Sequence, residues 1–308
     1  MITPAFEDGQ TDLPAWSLRY APHLGYAPPE LSQFPALAGP ALVDQVHFAA
    51  RQGFAGLFDP WAGGRSEQGR STITSAMATE GLSGGCIVAL PRALTSKPVW
   101  VQDRTDELLL GHVRRACGIA DEMRSSVLAV IVAGDPDTSQ PVQKRRALEA
   151  LRRAADIAAD NQMTLAIEPM VRLPGMLLQR FAEGLELVET ANHPSLRLIY
   201  DTAHCRDMGE DPLAMLKAGY DRIATVQLAD WPDRVEPGDG EIDFVAILAE
   251  LMRRDHDGLI ELEYNWRSPG RDAELSGLRT LRELDASARG LAGPGGAARV
   301  RSDQEVEG

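Results

Sequence analysis

The chain has 308 residues, 44% of them hydrophobic, and a formal net charge of −14 at pH 7. This length is enough for a full hydrophobic core, and one α/β barrel commonly reaches about 250 residues as a single domain. The negative charge would repel a phosphate backbone, so we expect no nucleic acid as a partner. The three cysteines show no CxxC spacing, which argues against a disulfide scaffold and against a structural zinc site.

The sequence shows no targeting signal and no membrane-spanning segment. Residues 1–14 are acidic and lack the apolar centre of a signal peptide, and no run of about 18 apolar residues is present. We therefore expect a cytoplasmic protein that does not bind membranes. A homo-oligomer is compatible with these features.

Hydrophobic patterns predict strands and helices in alternation from residue 16 to residue 289. The predicted strands are short apolar runs of the kind that parallel sheets bury on both faces. They lie at residues 16–20, 54–60, 86–91, 127–134, 163–169, 196–201, 224–228 and 258–264. Helices are predicted at residues 42–53, 71–80, 106–123, 142–160, 184–191, 212–218, 244–254 and 274–289.

Eight strands that alternate with helices imply an α/β fold with a parallel sheet. A closed (β/α)8 TIM barrel is favoured over an open, doubly wound sheet, because no Gly-rich phosphate-binding turn follows the first strand. We expect this single barrel to occupy residues 16–289. Residues 1–15 are predicted to form a short N-terminal extension, and residues 290–308, which lack apolar periodicity, a disordered C-terminal tail.

Oxygen-bearing side chains follow four consecutive predicted strands. Glu168 ends the fifth strand, Asp201 the sixth, Gln227 the seventh and Glu263 the eighth. The active sites of barrels lie at the carboxyl ends of the strands, so these side chains should meet at one rim. Carboxylate and amide oxygens suit Mg²⁺ or Mn²⁺ better than a metal that prefers thiolates. Glu261, two residues before Glu263, should share its face of the strand, with one of the two lying deeper.

Four segments of the chain resemble one known family. EPMVRLPGMLL, LIYDTAHCRDMGEDPL, VQLADWPDRVEPGDGEIDF and GLIELEY resemble the hydroxypyruvate isomerase branch of the xylose isomerase-like TIM barrels. The likeness covers residues 160–270 well and the first half of the chain in outline, and the third segment is the most specific. The resemblance implies a divalent-metal-dependent isomerase of the aldose–ketose type, or an epimerase, that acts on a small sugar or hydroxy-keto acid.

The resemblance also implies roles for individual residues. The positions that match its divalent-metal ligands, filled by Mn²⁺ or Mg²⁺, are Glu168, Asp201, Gln227 and Glu263. Two of these, Glu168 and Glu263, also match the pair of glutamates that move protons. His204 and Arg234 match groups that hold substrate oxygens.

The expected chemistry agrees with these roles. Isomerisation or epimerisation removes a proton from a carbon next to a carbonyl group, and a divalent cation bound to the substrate oxygens stabilises the resulting enediolate. One carboxylate takes the proton, and the same or a second carboxylate returns it. Arg234 would pair with a substrate carboxylate or stabilise developing oxyanion charge.

Each of these residues also has a purely structural alternative. A glutamate at a strand end often serves as a salt-bridge partner, although burying an unpaired carboxylate is costly. Arg234 could pair with the acids of its own loop, which are Asp230, Asp233 and Glu236. His204 could be a satisfied histidine between strands, or it could orient Glu168.

The first three strand ends, and EYNW after the last strand, depart from the family pattern, so the substrate stays open. His23 and Trp61 are the predicted substrate-binding residues in the first half, and Trp61 could either stack on a sugar face or pack in the core. Asp59 and Arg172 are further loop candidates.

Three other functions are compatible with a barrel of this kind. A metal-dependent lyase or dehydratase acting on a keto sugar or keto-glycoside would begin with the same proton abstraction and end in β-elimination. An endonuclease would need several histidines for a zinc cluster, and the six histidines of this chain offer only His204 and His23 at strand ends. A barrel without catalytic activity would serve as a subunit or ligand binder.

Overall fold

A computed structural model describes residues 15–26, 31–104 and 106–293. Its strands are short and lie close to the predicted ones. They are β1 (Arg19–Pro22), β2 (Gly56–Leu57), β3 (Ser83–Gly84), β4 (Ile87–Val88), β5 (Val127–Val130), β6 (Thr164–Ile167), β7 (Leu196–Asp201), β8 (Ile223–Leu228) and β9 (Leu259–Leu262).

The long helices also occur where the periodicity predicts them. The helices are α1 (Pro35–Ala38), α2 (Leu42–Arg51), α3 (Glu67–Thr79), α4 (Arg92–Thr95), α5 (Glu107–Glu122), α6 (Gln140–Asp160), α7 (Phe181–Ala191), α8 (Thr202–Asp207), α9 (Pro212–Gly219), α10 (Phe244–Arg253) and α11 (Arg271–Ala292). Helices α1, α4 and α8 were not predicted, because elements of four to six residues are too short to show a 3.6-residue repeat.

All strand pairings are parallel, and seven strands follow the order β1-β9-β8-β7-β6-β5-β4. The remaining two strands, β2 and β3, pair with each other. A bridge between His23 and Phe58 joins the end of β2 to the end of β1, and Phe58 N donates a 2.9 Å hydrogen bond to Pro22 O. Strands β3 and β4 are two pieces of one barrel strand, interrupted at Gly85 and Cys86. The sheet therefore closes as the predicted TIM barrel.

Two apolar regions hold the barrel together. The larger one lies between the strands and the surrounding helices, and includes Trp100, Leu128, Leu165, Leu198 and Ile260. The smaller one fills the inside of the barrel with Phe58, Cys86, Ala129, Ala166 and Ile199. These mostly small side chains leave room inside the barrel for the polar residues of β8 and β9.

The ends of the chain differ slightly from the prediction. Helix α11 continues through Gly290 to Ala292, beyond the predicted boundary at residue 289. The predicted extension over residues 1–14 and the rest of the predicted tail, residues 294–308, lie outside the described residues. Within the described part of the chain, no helix has the length and apolarity needed to cross a membrane.

Candidate active site

Three polar side chains from β6, β7 and the following turn meet at the carboxyl end of the barrel. Glu168 directly follows β6, and Asp201 is the last residue of β7. The Asp201 carboxylate caps α8 by accepting a 2.7 Å hydrogen bond from His204 N, which turns the chain so that His204 stays at the rim. One ligand atom from each of the three residues lies within 4.8 Å of the others. His204 Nε2 is 3.4 Å from Glu168 Oε1.

Arg234 connects this group to Glu263. Its two terminal nitrogens bind both oxygens of Asp201, at 3.1 and 2.9 Å. The Nη2 atom also donates a 3.1 Å hydrogen bond to the backbone oxygen of Glu263 and lies 3.2 Å from Glu263 Oε2. The guanidinium group therefore reaches across to two strand ends, and the alternative in which it pairs with the acids of its own loop is wrong.

The loop after β8 holds Arg234 in an unusual conformation. The backbone of Arg234 has a φ of 53°, in the left-handed region that costs a residue with a side chain of order 1 kcal/mol. Asp230 is fully buried and organises this loop. Its carboxylate accepts hydrogen bonds of 2.9, 2.9 and 3.0 Å from the backbone nitrogens of Gly238, Gly240 and Ile242. The loop is thus fixed by internal hydrogen bonds that can offset this strain.

Most other acids of this loop also have structural roles. Asp243 caps α10 by accepting from Ala246 N at 3.0 Å. Glu236 accepts a 2.8 Å hydrogen bond from Arg267 N, and Asp239 pairs with the Arg267 side chain. These contacts explain why an acid-rich loop leaves Arg234 free to face the strand ends.

Several buried oxygen atoms of the site lack hydrogen-bond partners among the described residues. They are Glu168 Oε1, Gln227 Oε1 and Glu263 Oε2. Two of these atoms still have a charged or titratable neighbour, because Glu168 Oε1 is 3.4 Å from His204 Nε2 and Glu263 Oε2 is 3.2 Å from Arg234 Nη2. A bound cation would coordinate such buried acceptors directly. Together with Asp201 they form an oxygen-rich donor set of the kind that Mg²⁺ and Mn²⁺ prefer. The residues present therefore fit a hard divalent cation.

Burial raises the pKa of both Glu168 and Glu263. It raises the pKa of Glu168, an effect that the nearby His204 opposes and the Asp201 charge reinforces. Burial also raises the pKa of Glu263 well above its usual value, with Arg234 acting in the opposite direction. A carboxylate with a raised pKa is a stronger base than an exposed one, so both side chains are suited to accept and return a proton.

Gln227 lies one layer deeper in the barrel than Glu263. It is next to Asp201 in the register of β7 and β8, and next to Glu261 in that of β8 and β9. Its Nε2 atom donates a 3.0 Å hydrogen bond to Glu261 Oε2. Glu261 is therefore the deeper of the two glutamates on β9, and burial raises its pKa to about 7.

The two predicted substrate residues of the first half contact other parts of the protein. His23 Nε2 is 3.1 Å from the backbone oxygen of Tyr264, and burial lowers the His23 pKa to about 4, so the ring is neutral at pH 7. Trp61 lines a cavity of about 570 Å³, where the Arg92 guanidinium lies 5.5 Å from the centre of the indole ring. This cation lies over one face of the Trp61 ring.

Tyr26 connects these two residues to the site and was missed in the sequence. Its ring lies 5.0 Å from that of His23 and 5.9 Å from Arg234 Cζ, and its backbone oxygen accepts a 2.8 Å hydrogen bond from Trp61 Nε1. Tyr26 follows the first strand by a few residues, but a single aromatic residue in a Pro- and Gly-rich loop gave no signal of its own.

The two further loop candidates have protein partners. Asp59 binds Arg65 through two hydrogen bonds of 2.6 and 3.1 Å. Arg172 pairs with Asp207 and donates a 2.6 Å hydrogen bond to the backbone oxygen of Pro232. Both side chains therefore stabilise loops next to the site.

Known protein families and sequences resemble this chain. The family described as "Xylose isomerase-like TIM barrel" matches residues 46–284. The 2-oxo-tetronate isomerase of Cupriavidus necator is 28% identical over 172 residues, which cover 55% of this chain and 65% of that protein. The hydroxypyruvate isomerase of Escherichia coli is 30% identical over 119 residues, 38% of this chain and 46% of that protein. The chain thus spans less than two thirds of the length of each of these two relatives.

A solved structure from Brucella melitensis, described as an AP endonuclease of family 2, superimposes with a TM-score of 0.73. It is 20% identical, and the match covers 86% of this chain and 98% of the other, so the likeness shows a shared fold. The match to the family extends over most of the barrel and includes all four strand ends of the site. This chain belongs to the xylose isomerase-like TIM barrel family.

Proposed function

We propose that the protein is a divalent-metal-dependent isomerase or epimerase of a small sugar or hydroxy-keto acid. The observation that carries this proposal is the pair of buried carboxylates of Glu168 and Glu263, which each present an oxygen atom without a hydrogen-bond partner among the described residues. They stand on either side of the ion pair between Asp201 and Arg234. The relatives described above are named as isomerases of small hydroxy-keto acids, which supports the same class of substrate here.

The oxygen-rich end of the barrel would hold the cation. Its ligands would be the side chains of Glu168, Asp201, Gln227 and Glu263. A bound Mg²⁺ or Mn²⁺ supplies a Lewis acid that polarises the substrate carbonyl group. In three of these side chains one buried oxygen atom has no hydrogen-bond partner among the described residues, which supports the assignment.

Glu168 and Glu263 are suited to the proton transfers. Strands β6 and β9, which carry them, are separated in the sheet by β7 and β8, so the two carboxylates approach a substrate from different sides. Burial raises the pKa of each one, which strengthens them as bases. One would take the proton next to the carbonyl group, and either could return it at the neighbouring carbon or at the opposite face.

Arg234 and His204 would hold the substrate. Arg234 is buried and binds two carboxylates. Its positive charge can also pair with a substrate carboxylate or stabilise negative charge that develops on a substrate oxygen. His204 lies beside Glu168 and can orient that carboxylate or bind a substrate hydroxyl group. Tyr26 closes the far side of the Arg234 guanidinium.

The test is a turnover assay of the Mn²⁺-loaded full chain in D₂O, with a panel of small aldoses, ketoses and hydroxy-keto acids. We expect a product with the composition of the substrate that carries deuterium at the carbon next to the carbonyl group. Glu168→Gln and Glu263→Gln should each abolish the reaction. Glu250→Gln is the matched control, because Glu250 is a buried carboxylate on α10 that pairs with Arg254, outside the barrel.

The product identifies the reaction. A product that has lost water or been split by elimination would show a lyase or dehydratase, which uses the same proton abstraction. Full turnover by either glutamine variant would contradict the assigned bases. A wild-type protein that binds no Mn²⁺ in a thermal-shift titration would contradict the metal-dependent function and favour a barrel without catalytic activity.

A further inference from the structure

Gln227 can serve as a metal ligand in only one of its two amide orientations. The side-chain oxygen is an acceptor that can bind a cation, whereas the NH₂ group is a donor that cannot. The two orientations occupy nearly the same volume, so packing alone does not choose between them. The choice must therefore come from a neighbouring atom that accepts a hydrogen bond from the NH₂ group.

Glu261 is that neighbour. The two residues stand side by side in the register of β8 and β9. Glu261 Oε2 accepts the 3.0 Å hydrogen bond from Gln227 Nε2, which leaves Gln227 Oε1 without a partner among the described residues. The thiol of Cys86 is a weaker partner, since its Sγ atom lies 3.7 Å from Gln227 Nε2.

The Glu261 carboxylate is itself held in place. It is 1% exposed, and its Oε1 atom accepts a 2.6 Å hydrogen bond from the backbone nitrogen of Cys86. Gly85 allows this close approach, because a Cβ atom there would lie 2.9 Å from Glu261 Oε1 and 3.1 Å from Phe58. The backbone donor occupies Oε1, and the other oxygen, Oε2, accepts from Gln227 Nε2 and from the Cys86 thiol, whose Sγ atom is 3.3 Å away.

We propose that Glu261 is a positioning residue that turns the Gln227 amide so that its oxygen, and not its NH₂ group, faces the cation. This inference rests on the metal-dependent function proposed above. It assigns a role to a buried carboxylate that is not itself among the proposed ligands. Partners of metal ligands commonly change metal affinity by 10–100-fold when they are replaced.

Glu261→Gln tests the proposal with almost no change in volume. The new carboxamide keeps its oxygen on the Cys86 N–H and therefore presents its NH₂ group to position 227. The Gln227 amide then turns its oxygen towards this NH₂ group and its own NH₂ group towards the cation. We expect the Kd for Mn²⁺, measured by calorimetry or by electron paramagnetic resonance of free Mn²⁺, to rise by about 10–100-fold.

The double variant E261Q/Q227E is the decisive measurement. The new carboxylate at position 227 accepts from the carboxamide at position 261 with one oxygen and keeps the other for the cation. We expect this variant to recover most of the Mn²⁺ affinity that Glu261→Gln loses. If Glu261→Gln lowered the Mn²⁺ affinity only by destabilising the fold, the second substitution would not restore that affinity. It restores only a hydrogen bond in which one of the two side chains is a carboxylate that accepts and the other is an amide that donates.

One control accompanies these variants. Glu250→Gln makes the same substitution outside the barrel and should bind Mn²⁺ as the wild-type protein does. Circular dichroism with thermal unfolding shows that each variant is folded.

The outcomes separate the two proposals. If the wild-type protein binds Mn²⁺ and Glu261→Gln binds it equally well, the role of Glu261 is wrong and the metal-dependent function stands. The same conclusion follows if Glu261→Gln loses affinity and the double variant does not regain it. If the wild-type protein binds no Mn²⁺, both proposals are wrong.

Discussion

The two halves of the barrel use charged side chains differently. At the ends of β6 to β9, carboxylates from separate strands converge, and Glu168 and Glu263 keep oxygen atoms without hydrogen-bond partners among the described residues. At the ends of β1 and β2, no such group of carboxylates converges among the described residues. Asp59 accepts hydrogen bonds from Nε and Nη2 of Arg65, and His23 Nε2 contacts the backbone oxygen of Tyr264, while His23 Nδ1 is buried without a partner among the described residues.

This difference indicates where the chemistry lies. Several carboxylates buried at one rim are costly, and such a group persists where a cation or a ligand compensates its charge, whereas a single carboxylate paired with an arginine stabilises the fold. The second half therefore has the features of a reaction centre. The first half contributes Tyr26 next to Arg234, and a cavity lined by Trp61 and Arg92.

The largest expected effect is a difference in kcat between variants of two carboxylates, one in each half of the barrel. Glu263→Gln should lower kcat by about 10²–10⁴-fold, since it removes a group that we propose transfers a proton. Asp59→Asn should lower kcat far less and instead reduce the free energy of unfolding by about 1–3 kcal/mol, since it breaks a buried pair with Arg65. Steady-state kinetics and urea unfolding measure the two quantities, and equal loss of kcat in both variants would remove the distinction between the halves.

The next effect concerns Arg234. Arg234→Gln should lower kcat/KM by about 10²-fold, because it removes a donor group aimed at substrate charge. The same substitution frees both oxygens of Asp201 and removes a positive charge beside the proposed ligands. The affinity for Mn²⁺ should therefore stay the same or increase. A variant that loses both activity and Mn²⁺ binding would show that Arg234 organises the site as a whole.

A smaller effect is expected in the cavity of the first half. Trp61→Ala removes the hydrogen bond to the backbone oxygen of Tyr26 and the ring beneath Arg92. If this half selects the substrate, KM should rise by about 3–10-fold, which corresponds to roughly 1 kcal/mol of binding, with a smaller change in kcat. Arg92→Ala leaves the indole in place and separates the contribution of the cation. A fall in kcat alone, with KM unchanged, would place Trp61 in the reaction centre instead.

The smallest effect on activity is expected away from both regions, at the residues that precede β9. Burial lowers the pKa of His256 from 6.5 to about 4. The unfolded chain therefore binds more protons than the folded one between these values, so stability falls as the pH drops from 6.5 towards 4. This loss should reach about 3–4 kcal/mol at most, since one pKa unit corresponds to about 1.4 kcal/mol.

In His256→Gln, the free energy of unfolding should depend less steeply on pH between 6.5 and 4. His23 would keep a contribution of the same sign, because burial lowers its pKa to a similar value. An unchanged slope in His256→Gln would show that the ring is neutral in both states or charged in both.

Much of the fold could be predicted because its signals are local. The helices from α2 to α11 that exceed one or two turns follow a 3.6-residue repeat, and the buried strands are apolar runs with Pro or Gly nearby. Barrel geometry then brings strand ends together, which is why Glu168, Asp201 and Glu263 could be grouped before any coordinates were known. The roles assigned to these residues stay predictions until the variants are measured.

Other features could not be read from the sequence, because they depend on residues far apart in the chain. The pairing of Arg234 with Asp201 requires a loop that Asp230 folds back on itself. The position of Tyr26 against Arg234 joins the first strand end to the seventh barrel strand. Sequence spacing cannot show which of several nearby acids an arginine will reach.

The sequence by itself determined the alternation of strands and helices, and it placed oxygen-bearing side chains at four consecutive strand ends. These features could be predicted because hydrophobic periodicity and the polarity of a strand end depend on residues that are close together in the sequence. Only the tertiary structure decided which atoms are left without partners. The orientation of the Gln227 amide depends on Glu261, and that carboxylate depends on the backbone of Cys86 on another strand. Such hydrogen bonds exist only once the barrel has closed.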